Sequence, residues 1–146
     1  MTAKDYLSQA KYLDARINSK IQQVQALNDL ATKCTSTMSG MPHNPSKSVS
    51  SMADIIGKII DLQDQINCDI DALVDLKKEI MTVIKEMNNP EYQTVLERRY
   101  LCFEQWEKIA ADMGYDLRWL FRLHGKALDS VQSILDKSMD AEPNSP

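Results

Sequence analysis

Glycine occurs only 4 times and proline 5 times in 146 residues, and aromatic side chains make up 6%. A β-sandwich or barrel needs turn residues every few positions with β-branched and aromatic strands between them, so this scarcity argues against both and suits long helices. No stretch approaches the roughly 18 consecutive apolar residues of a membrane span, and the opening MTAKDYLSQAKYLDARI lacks the apolar segment of an export signal. No membrane association is expected. The three cysteines, Cys34, Cys68 and Cys102, are too far apart in sequence for a CxxC knuckle, and the histidines are only His43 and His124. No metal and no cofactor are therefore expected, and the odd thiol count fits a reducing, cytoplasmic interior. A nucleophile–base pair and a phosphate-cradling glycine loop are also missing, so the chain does not read as an enzyme.

The net charge of −4 offers a polyanion no general attraction, but the average conceals a pattern. The aspartates of the middle region, Asp61, Asp64, Asp69, Asp71 and Asp75, read as a solvated face and not as paired catalytic carboxylates. Between Leu117 and Leu128 there is no acidic residue at all, while Arg118, Arg122 and Lys126 all fall there. Basic charge is local, and the acidic end of the chain offsets it.

What is present in abundance is helical periodicity. Tyr6, Ala10, Leu13, Ile17, Val24, Leu27, Ala31 and Cys34 step by threes and fours, which predicts a helix over residues 3–34 with Lys20 standing where an apolar residue is due. Residues 35–50, rich in serine with two prolines, predict a loop containing His43. Ser51 and Asp54 then resemble a capping box. From there Met52, Ile59, Ile66, Leu73, Ile80 and Met87 fall seven apart, with Ile55, Leu62, Leu76 and Val83 on the second seam position and Asp69 interrupting it. Folding residues 3–34 back on 52–87 gives a long antiparallel hairpin, whose excess apolar width predicts a homodimer or higher homo-oligomer. Asn89 and Pro90 predict a cap and first turn for a new helix, and residues 138–146 predict a disordered acidic tail. The expected organisation is all-α: a hairpin over 1–88, a three-helix unit over 89–137, and the tail.

Within that second unit, Trp106, Ile109, Ala110 and Met113 form one stripe, Gly114 supplies a left-handed helix end, and Asp116 caps a further helix. On this last helix Leu120, Leu123 and Ala127 face inward, while Arg118, Arg122 and Lys126 form an outer stripe with Trp119 at its border. The pattern fits a helix-turn-helix with its second helix in a major groove of double-stranded DNA. It fits a plain helical hairpin with a solvated basic face as well.

Residues 91–128, ending LERRYLCFEQWEKIAADMGYDLRWLFRLHGKAL, resemble the fourth conserved region of sigma-70 type factors. There, too, a leading helix precedes an I-A-x-x-x-G turn and a basic helix ending Lys-Ala-Leu. With TAKDYLSQAKYLDARINSKI and SSMADIIGKIIDLQDQIN, the chain as a whole resembles the phage- and prophage-encoded late transcription regulators of the ArpU and RinA type. The resemblance implies DNA binding through Arg118, Trp119, Arg122 and Lys126, with Phe121 and Gly125 at positions more often polar in sigma factors. It implies a transcription regulator in the cytoplasm of a bacterial host. Two other functions compete with it: a small terminase-like packaging component, and an adaptor that binds a host protein such as RNA polymerase.

Overall fold

A computed structural model describes residues 1–38 and 45–141, and every regular element in them is helical. Helix α1 is Ala3–Met38, α2 Pro45–Lys85, α3 Pro90–Leu96, α4 Trp106–Met113 and α5 Leu117–Ala141, with a π-helical segment, Glu97–Leu101, following α3. No helix among the described residues is long and apolar enough to cross a membrane.

Both long helices exceed the expectation. Helix α1 runs on to Met38 and α2 begins at Pro45, so most of the anticipated loop 35–50 is helical, and its His43 lies outside the described residues. Serine costs a helix only tenths of a kcal/mol, about 0.5, and each added residue gains a backbone hydrogen bond once a helix exists. Proline at the first helical position forfeits nothing, because its N–H would have had no partner there. Ser51 consequently sits inside α2 and caps nothing, contrary to the capping box its spacing suggested. At the other end, α5 continues through Ser138 to Ala141 where a disordered tail was expected, and 142–146 lie outside the described residues.

Packing divides the chain into two compact units, Leu13–Ala72 and the combination of Met1–Tyr12 with Leu73–Pro146. The division falls within α1 and α2, and not at Asn88–Pro90 where the sequence suggested it. In the first unit α1 and α2 pair in opposite directions: Lys20 meets Asp69, while Gln23, Ala26 and Leu27 share a groove with Lys58, Asp61, Leu62 and Gln65. Ile17 and Ile66 are buried there, and Met52 and Ile59 are half-buried.

The other unit holds the main core. Tyr6, Leu7 and Ala10 of α1 pack with Ile80 and Ile84 of α2, Met87 beyond its end, Val95 and Leu96 of α3, Tyr100, Ile109 and Ala110, and Leu120, Ala127 and Val131 of α5. Leu73 packs at its margin. Two polar ties fix the ends of these helices. The backbone N–H of Ala3, free in the first turn of α1, donates to Gln132 Oε1 at 2.8 Å. The Gln93 side-chain amide donates to the carbonyl of Met87 at 2.6 Å, just past the end of α2. Asn89 caps α3 as its sequence suggested, Oδ1 accepting from the N–H groups of Glu91 at 3.0 Å and Tyr92 at 3.3 Å.

Candidate nucleic-acid interface

The turn between α4 and α5 is set locally. Gly114 takes φ 75° and ψ 27°, a left-handed conformation that costs a residue with a Cβ but not glycine. The Tyr115 N–H then returns to the Ala110 carbonyl at 2.9 Å, closing off α4. Asp116 caps α5, Oδ1 accepting from the Trp119 N–H at 2.7 Å. Inside the turn, Ile109, Ala110, Leu120, Leu123 and Ala127 are buried, and Trp106 and Met113 are half-buried. The residues assigned to this core from sequence are thus brought together, with Gly114 at the corner.

Outside, the structure leaves Arg118, Arg122 and Lys126 exposed along the first three turns of α5. Among the described residues, Arg118 and Arg122 have neither an ion-pair nor a hydrogen-bond partner. The Lys126 Nζ lies 5.9 Å from the centre of the Trp119 ring, and Trp119 meets Tyr115 edge to face at 6.4 Å. Trp119 is 44% exposed and Phe121 49% exposed. Two cationic forks, an ammonium and two half-open aromatic rings therefore share one helix. Such a surface can pair with phosphates, fork onto a base edge, and offer apolar contact beside both.

Sequence reasoning left Arg98, Arg99 and Tyr100, which brace this helix, without an assigned role. Arg98, on the π-helical segment, binds Glu104 through Nε at 2.6 Å and also pairs with Asp112 of α4. Its guanidinium holds the Glu104 carboxyl below the usual carboxylate range. Arg99 donates to the Glu104 carbonyl at 3.0 Å and lies 4.6 Å from the centre of the Trp106 ring. Trp106 in turn meets Phe121 edge to face at 5.4 Å and His124 at 4.6 Å. The Tyr100 hydroxyl shares a 2.7 Å hydrogen bond with His124 Nε2. Burial, with Lys4 and Arg99 nearby, pushes His124 down to about 4, so at neutral pH it is an uncharged imidazole at the edge of the core. The LERRY run was the available signal, but only the π-helical turn decides where each arginine points. A π segment holds one more residue per hydrogen-bonded turn than an α-helix and re-aims the side chains beyond it; here it is closed by Cys102 N–H donating to the Glu97 carbonyl at 3.0 Å.

Among the described residues no group of histidine, cysteine, aspartate or glutamate is placed to hold a metal ion. No protein-family model, curated protein or solved structure matches the chain.

Proposed function

We propose that this chain is a sequence-specific DNA-binding protein that presents α5 to a major groove, and that it regulates phage transcription in a bacterial cytoplasm without chemistry of its own. The observation that carries DNA binding is the exposed cationic stripe. Arg118, Arg122 and Lys126 stand exposed at the amino-terminal end of a helix that follows a glycine-cornered turn, with no carboxylate on that helix before Asp129. A helix-turn-helix reads base edges with the first turns of its second helix, which is where these side chains stand. The regulatory role rests on the resemblance of residues 91–128 to the fourth sigma region.

The exposed rings of Trp119 and Phe121 favour a second reading, in which the same face docks a protein such as RNA polymerase, since aromatic and arginine side chains also anchor protein interfaces. Fluorescence anisotropy separates the two. Binding to duplex DNA with an affinity that falls steeply as salt rises is the expected result. No binding to any duplex at about 50 mM salt would abandon the DNA reading and leave the docking face.

A further inference from the structure

Helix α2 carries a second apolar stripe besides the one turned to α1. Ile56, Ile60, Ile70 and Val74 are 48%, 51%, 41% and 46% exposed, and Gln63 and Asn67 stand between them, also exposed. At 3.6 residues per turn these six positions lie within about 40° of one line along the helix. They repeat with the spacing of a coiled-coil seam, with amides where the central layer would be. The heptad read from the sequence is a neighbouring stripe, whose Ile66 and Ile80 are buried within the chain.

The stripe is its own complement. About a two-fold axis at the level of Gln65, Ile60 falls opposite Ile70, Ile56 opposite Val74, and Gln63 opposite Asn67. Each aliphatic side chain meets another, and each amide meets an amide that can both donate and accept. A docking site for an unrelated protein has no need of this symmetry, whereas an isologous interface requires it. On the flank, Asp71 falls near Gly57 of the other copy and meets no like charge. Asp64 faces its own mate, but at a solvated rim such repulsion is small. Parallel pairing would instead set Asp64 and Asp71 beside the aliphatic Ile59 and Ile66.

We infer that a second copy of this chain docks antiparallel on the Ile56–Val74 stripe of α2, with Gln63 and Asn67 forming the polar layer that fixes the register. The inference does not depend on DNA binding. Its failure would show in oligomeric state, and failure of the DNA reading in anisotropy.

Two measurements test it. Sedimentation of the full chain at micromolar concentration should show a dimer. Ile60→Asp and Ile70→Asp should each weaken it about 100-fold or more, since each buries an unpaired charge. Because both side chains are exposed in the single chain, each variant should keep its helical circular dichroism. A monomeric wild type, or a dimer indifferent to both substitutions, overturns the proposal. For register, Cys34, Cys68 and Cys102 are first replaced by serine. Chains with Ile60→Cys are then mixed with chains carrying Ile70→Cys and oxidised. A mixed disulfide is expected; cross-links only between identical chains would overturn the antiparallel arrangement.

Discussion

Lys20 and Asp69, the residues that interrupt the apolar stripes of α1 and α2, are each other's partners: Nζ and Oδ2 lie 2.6 Å apart, with the side chains 14% and 22% exposed. Each looks like a defect in its own helix. Together they form an ion pair between the two helices, where it penalises any slip of one helix along the other that would strand a charge.

That pairing predicts a non-additive mutant cycle. Lys20→Met alone leaves the largely buried Asp69 carboxylate without its ion-pair partner and should cost about 1–3 kcal/mol. Asp69→Leu alone should cost a similar amount. The double substitution should recover most of the loss or exceed the wild type, because well-packed apolar groups often replace such pairs without penalty. Urea denaturation of the four proteins measures this, and simple additivity would mean the pair does not couple the helices.

Much of the fold was legible because its determinants are local. Gly114, Asp116, Asn89 and Pro90 act on backbone groups within four residues of themselves, so their types and spacing suffice. The long stripes were legible for the same reason, and both interruptions were visible as interruptions. Their partnership was not, since it depends on the register of two helices brought together across a long separation in sequence. The end of α1 at Met38 and the start of α2 at Pro45 were not legible, because serine and proline content speaks to intrinsic preference, which helix propagation can outweigh. The outer stripe of α5 was legible, whereas the Arg98, Arg99 and Tyr100 contacts beneath it depend on a π-helical turn that leaves no periodic mark.

Gly114 offers a test of the corner alone. A Cβ built there would meet nothing within 4 Å, so a substitution is opposed only by the left-handed backbone. Gly114→Ala should therefore cost about 1 kcal/mol and Gly114→Asn less, measured by thermal unfolding. Equal stability of all three would show that the turn relaxes to another conformation.

The neutral imidazole of His124 gives the fold a pH dependence of defined sign. In the unfolded chain His124 takes up a proton near its usual 6.5, but in the native core it does so only near 4. Below pH 6.5 the unfolded state binds the extra proton, so the stability present above that pH drains away as pH falls and is fully lost below about 4. Allowing for partial solvent screening, the loss should be about 2 kcal/mol. His124→Asn removes the titration, so its stability difference from the wild type should shrink by that amount between pH 7 and pH 4. A difference independent of pH would mean that His124 is protonated as readily in the fold as out of it.

The basic stripe of α5 should divide its labour by position. Arg122 stands in the second turn with its guanidinium unpaired, where a recognition helix meets base edges; Lys126, a turn further on, is a point charge suited to phosphate. Lys126→Ala should weaken binding to all duplexes alike and reduce the salt slope by about one phosphate contact. Arg122→Ala should instead erode preference for the target over random duplex, by about 1–3 kcal/mol for a fork onto guanine. Neither substitution removes a packing contact of the core, so helical content and melting should stay near wild type. The assay is anisotropy over a salt series, on duplexes from the region upstream of the chain's own operon and on random sequence. If both variants bind as the wild type does, the stripe is a solvated face, and Trp119 with Phe121 becomes the surface to probe for a protein partner.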